Sequence, residues 1–162
     1  MCAAFVAAAA LAESAGGLSW TAPSGWKAQG ERPMRAATYT VPKAPGDAED
    51  GECAVFYFGQ GQGGGVDANI QRWYGQFESK SQPPAPRKAM AGKNKVTYVE
   101  HSGTYKSGGP MMGTAATAKP GYQLLGAIVE GPEGSVFFKL TGPAKTVGAS
   151  KAAFEKMIQS IH

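Results

Sequence analysis

Residues 53–77 read CAVFYFGQGQGGGVDANIQRWYGQF. The first six are apolar without alternation, the pattern of a strand buried on both faces. Seven glycines and glutamines follow, from Gly59 to Gly65. Val66, Ile70, Trp73, Tyr74 and Phe77 then fall at i, i+4, i+7, i+8 and i+11, one apolar stripe at helical period. Asp67 suits the positive end of the helix dipole, and Ser81-Gln82-Pro83-Pro84 sets the far limit of the predicted helix.

Two readings compete for the glycines. Gly59, Gly61 and Gly64 spell G-x-G-x-x-G between a strand and a helix, where backbone N–H groups and the helix dipole cradle phosphate in dinucleotide-binding proteins. That chemistry also needs a parallel second strand and an acid roughly 20 residues on, at that strand's end. A Pro- and Lys-rich loop stands there instead, and the nearest acid, Glu78, still belongs to the predicted helix. The segment is read as a turn that uses positive φ.

Working outward, Met34–Val41 and Cys53–Phe58 pair as a hairpin around the polar loop PKAPGDAEDG. Leu18–Pro23 reads as a first strand and Lys95–Glu100 as another. Tyr122–Val129 and Ser135–Leu140 form a second hairpin about Glu130–Gly134. A last helix carries Val147, Phe154, Met157, Ile158 and Ile161 on one side, with Thr146 as its predicted cap. Hairpins rather than β-α-β alternation predict an α+β fold, an α/β/α sandwich with a central antiparallel sheet. The 162 residues, 43% hydrophobic and 17% charged, suit one globular domain, assigned to 17–162.

Residues 1–16 are assigned to an export leader and linker. Met1–Ala12 (MCAAFVAAAALA) has no charged side chain and ends in Ala10-Leu11-Ala12, an A-x-A cleavage pattern, although the usual basic region is missing. The expected location is periplasmic or secreted. The stretch is too short to span a bilayer, and the apolar residues after Cys2 do not resemble a lipoprotein linker.

Catalytic groupings are sparse. His101 and His162 are the only histidines, so no His-based metal site or G-x-S-x-G triad is available, and no cofactor is expected. His101 is read as a strand-end polar residue and Cys53 as a buried, inert thiol. Asp47, Glu49, Asp50 and Glu52 miss the EF-hand spacing and are read as a solvated loop. Lys80, Arg87, Lys88, Lys93 and Lys95 lack interleaved aromatics, and the net charge of +4 is mild, so no nucleic-acid partner is expected. Trp20 and Trp26 are predicted to pin the opening segment to the sheet. Asn69, Arg72 and Gln76 lie at i, i+3 and i+7 on the helix face opposite the stripe. With Gly61, Gly63 and Gly64 they are the candidate ligand-binding set.

Taken together, LSWTAPSGW, MRAATY, the 53–77 stretch, YQLLGAIVEGP and FFKLTGPAKTV resemble a family of bacterial envelope proteins with a Mog1/PsbP-like fold. The resemblance implies the same sandwich and a role as an exported accessory or assembly factor, and it carries no functional residue over. The expected function is a non-catalytic accessory domain that binds an envelope protein or small ligand through the glycine loop and the polar helix face. An enzyme or a nucleotide- or phosphate-binding module using that loop is the alternative.

Overall fold

Strands β1 (Ala12–Ala15), β2 (Leu18–Thr21), β3 (Lys27–Ala28), β4 (Ala37–Val41) and β5 (Gly51–Phe56) precede helix α1 (Val66–Tyr74). Then come β6 (Phe77–Glu78), β7 (Arg87–Ala91), β8 (Asn94–Ser107), β9 (Thr117–Gly131), β10 (Gly134–Pro143) and α2 (Ala144–Gln159). This computed structural model describes residues 12–108 and 117–162. The main sheet runs β3-β4-β5-β10-β9-β8-β6, with β7 also paired to β8, while β1 and β2 form a separate hairpin. Every pairing among the described residues is antiparallel. Both neighbours of β5 therefore run against it, and no parallel unit frames the glycine segment as a dinucleotide site would require.

Alternation along β10 builds two layers. Val136, Phe138 and Leu140 enter the larger core beneath α2, with Val147, Phe154, Met157 and Ile158 of that helix. Phe137 enters the smaller core with Ile70 and Trp73 of α1. The sandwich expected from the hairpins is thus present, one helix on each face. No helix among the described residues is long and apolar enough to cross a membrane.

The tryptophans act as expected. Trp20 is fully buried, meets Phe138 edge-on at 5.2 Å, and donates from Nε1 to the Tyr39 hydroxyl at 3.0 Å. Trp26, partly buried, tilts against Tyr39 at 6.2 Å. Ser19 and His162 exchange backbone hydrogen bonds, so the two ends of the fold are tied together.

Several boundaries differ from the sequence reading. Helix α1 ends at Tyr74, because the Gly75 N–H closes the last turn on Gln71 and the chain leaves to pair Phe77 with Tyr105. The basic stretch after Pro86 is strand β7, held by the β8 ladder that single-sequence propensity does not see. His101 lies within β8, not at a strand end, packed beside Tyr74 and Phe77 with burial lowering its pKa. Thr146 sits inside the first turn of α2, and the remote Asp47 carboxylate accepts its backbone N–H at 3.0 Å. Residues 1–11 of the predicted leader lie outside the described residues, while Ala12–Ala15 pair with Leu18–Thr21.

A glycine sets how close α1 approaches the sheet. A Cβ at Gly126 would stand 2.5 Å from Trp73 Cζ3 and 2.8 Å from Val99 Cγ2. The indole occupies the space a side chain would need. Gly126→Ala is expected to destabilise the fold by about 1–3 kcal/mol through overpacking. Chemical denaturation reads this as a lower midpoint at unchanged slope.

Candidate functional site

Lys139 stands on the α1 face of β10, directly opposite Ala54 on β5 and Gly126 on β9. Residues opposite one another across antiparallel strands share a face, so the lysine has two short neighbours and room above it. Trp73 fills the space over Gly126, but α1 has only nine residues and leaves the β5 side of this face open. A cavity of about 390 Å³ results. Phe56 and Phe58 stack at 6.0 Å along one wall, and Phe58 meets Phe137 at 5.8 Å. Met34, at the rim, is 74% exposed and holds the left-handed φ of 64°, a strained conformation for a side chain with a Cβ.

The lining includes three cationic side chains, Arg35, Arg72 and Lys139, and no carboxylate. Arg35 is neutralised from outside the cavity, bonding Glu52 Oε1 at 2.9 Å while its guanidinium lies 5.6 Å from the Phe56 ring centre. The others have neutral partners. Arg72 donates to Asn69 Oδ1, and Lys139 donates to Gln76 Oε1 and, at 3.3 Å, to the Tyr105 hydroxyl. Among the described residues no carboxylate lies within ion-pair distance of either cation. Residues 1–11 and 109–116 contain no Asp or Glu. Burial foremost, with Arg35 and Arg72 adding and Glu52 opposing, lowers the Lys139 pKa to about 8.

Asn69, Arg72 and Gln76 all line this cavity, Gln76 from two residues past the end of α1 and not from the helix face on which it was expected. Their roles differ from the expected row of outward donors. Asn69 is buried and donates its amide to the Gly63 and Gly65 carbonyls at 2.8 and 2.9 Å, bracing the glycine loop. Gly63, at φ +87°, presses against Phe58, where a Cβ would lie 2.6 Å from the ring. Gly61 and Gly64 are exposed and lie outside the cavity lining. The loop therefore shapes a wall through Phe58, and the polar groups facing the cavity come from α1 and the residues just after it, from β8 and β10, and from Arg35 ahead of β4.

Lys139 and Arg35 were not singled out by the sequence reading. The signal for Lys139 is a lysine within SVFFKL at the same parity as Phe137, which places a charge on an inward face. The acidic loop, expected to be merely solvated, is tied at each position. Asp47 meets α2, Asp50 accepts the Lys43 N–H, Glu52 pairs with Arg35, and Glu49 binds Tyr122 and Lys119. The Tyr122 hydroxyl and Lys119 hold the Glu49 carboxyl below its ordinary pKa. Cys53 is fully buried, and burial raises its thiol pKa, which disfavours the reactive thiolate. Among the described residues no group of three or more His, Cys, Asp or Glu is placed to hold a metal.

No protein-family model matches the chain. No curated protein matches it. Solved structures do. The solution structure of cyanobacterial PsbP (CyanoP) from Synechocystis sp. PCC 6803 aligns with a TM-score of 0.58 at 12% identity, covering 100% of this chain and 96% of that one. A crystal structure from Bacteroides thetaiotaomicron aligns at 15% identity and a TM-score of 0.49, covering 92% of this chain and 46% of the other. The chain has a PsbP-like fold.

Lys139 ties stability to pH. The unfolded lysine titrates near 10.5 and the folded one at about 8. Below pH 8 both states carry the proton and the folded state bears the desolvation penalty. Between 8 and 10.5 the unfolded chain binds more protons, so this group's contribution rises with pH. Lys139→Met is expected to be more stable than the parent at pH 7 by on the order of 1 kcal/mol, with the gap narrowing toward pH 9.5. Paired urea titrations at the two pH values measure the difference.

Proposed function

We propose that this chain is a non-catalytic, exported binding domain that recognises its ligand in the cavity between α1 and the β5–β10 side of the sheet. One observation carries the reading: Arg72 from the last turn of α1, Gln76 just beyond its end and Lys139 from the central strand face a hollow walled by aromatic rings. A pocket with an apolar lining and a few convergent polar groups is the usual form of a small-molecule site. The bracing of Phe58 by the glycine loop and Asn69 fits a pre-formed wall rather than a phosphate cradle. Export is supported by the Ala-rich segment ending in Ala10-Leu11-Ala12 and by the resemblance to envelope proteins.

A fragment library titrated against ¹⁵N-labelled protein tests this reading. Hits are expected to shift the amides of Phe56, Phe58, Trp73 and Lys139 and to be recovered chemically unchanged. Arg72→Ala is expected to leave the unfolding temperature within about 2 °C, as for an exposed substitution. It should weaken binding of anionic hits about tenfold, the worth of one charge-assisted hydrogen bond. Hits that map only to other surfaces, or that are converted to product, contradict it.

A further inference from the structure

A lysine at the middle of a sheet face is an expensive choice. Position 139 lies between Ala54 and Gly126, beside the short helix α1 and three phenylalanines, where a methionine or leucine would extend the apolar layer. The ammonium there faces Arg35 and Arg72, two further cations, and has only neutral hydrogen-bond partners. Arg72 stands in the last turn of α1, and Gln76, two residues past the helix's end, accepts the lysine's hydrogen bond. Arg35 already has Glu52. Two cations lining the cavity thus lack an anion, and the surfaces beside them are rings.

We infer that the cavity takes a small organic carboxylate, its charged end seated between Lys139 Nζ and the Arg72 guanidinium and its aromatic or short hydrocarbon body against Phe56, Phe58 and Tyr105. This rests on the binding reading above and names the class of ligand. A carboxylate accepts from both an ammonium and a guanidinium, and it relieves the repulsion between them. One negative charge matches the one cation that the fold has desolvated, while Arg72 at the mouth remains exposed to water. The volume of about 390 Å³ lies toward the lower end of the small-molecule range. The exposed Met34 at the rim offers a deformable apolar edge for the body of the ligand.

The probes are 3-phenylpropionate, its neutral amide, 3-phenylpropylamine and phenyl phosphate, each followed by amide shifts at pH 7. The carboxylate is expected to perturb Phe56, Trp73 and Lys139 and to bind at least about tenfold more tightly than the amide. Lys139→Met and Arg72→Gln should each weaken the carboxylate about fivefold or more, leaving the amide unchanged. The Lys139→Met unfolding midpoint, equal to or above the parent's, excludes misfolding as the cause. Carboxylate affinity should fall from pH 7 to 9.5 as Lys139 loses its proton, and stay level in Lys139→Arg. The other groups facing Lys139 are Arg35 and Glu52 on the β4–β5 side, Arg72 on α1, and Tyr105 on β8, whose hydroxyl pKa burial raises above its ordinary value. Equal affinity for amide and carboxylate, tighter phenyl phosphate, or unchanged binding in Lys139→Met overturns the inference. If the amide or amine binds the cavity and the carboxylate does not, the ligand class falls and the binding reading stands. If every probe and fragment maps elsewhere, both fall.

Discussion

Strand β10 must serve two layers at once. It is paired on both edges, by β5 and β9, with α2 over one face and the short α1 over part of the other, so each of its side chains has a fixed destination. Val136, Phe138 and Leu140 supply the centre of the large core, to which α2 and the β1–β2 hairpin contribute. Phe137 supplies the small core, which is short because α1 is short. The position after Phe138 faces the small core where that helix no longer covers it, and there the chain has a lysine. A slip of one residue in the β9–β10 register would move Lys139 into the α2 core and Val136, Phe138 and Leu140 out of it. The apolar alternation that stabilises the sheet therefore also places the charge.

The two faces are built to different standards. Beneath α2, a sixteen-residue helix packs against a continuous apolar surface, and Trp20 finds both a ring partner and a hydrogen-bond acceptor. Beneath α1, one indole fits one glycine notch, and beyond it the contacts become cations, amides and ring faces. Filling that hollow with apolar side chains would bury more surface and remove an uncompensated charge. Keeping it open gives up stability at one place, the pattern of proteins that retain strained or polar sites for recognition. The left-handed backbone of Met34 at the rim of the same hollow is a second such concession.

The PsbP-like fold is shared with a protein of 12% identity. So little identity suffices because the architecture depends on residue classes in alternation, on turns and on two amphipathic helices, and many sequences meet those conditions. The cavity depends on particular residues at particular registers: Gly126 beneath Trp73, Ala54 beside Lys139, Gly63 against Phe58. Such features vary freely within a common fold, so the fold by itself assigns no ligand.

Much of this architecture was legible in the chain. The unbroken apolar run at Cys53–Phe58, the helical stripe from Val66 and the two hairpins were enough to specify an antiparallel sandwich, because period and turn chemistry are local properties. They also put Asn69 and Arg72 on the polar side of α1, while Gln76, expected on the same helix, lies two residues past its end. What no local pattern contained was the company those residues keep. Asn69 turns inward because the glycine carbonyls need donors, β7 is a strand because β8 offers it a ladder, and α1 stops where Phe77 finds β8. Lys139 meets Gln76 across 63 positions of sequence, and Arg35 and Tyr105 arrive from two other strands' ends. Composition and periodicity determined which surfaces would be buried. Only long-range pairing decided which charges would share one hollow, since that depends on strand order and register, which are set by contacts between segments remote in sequence.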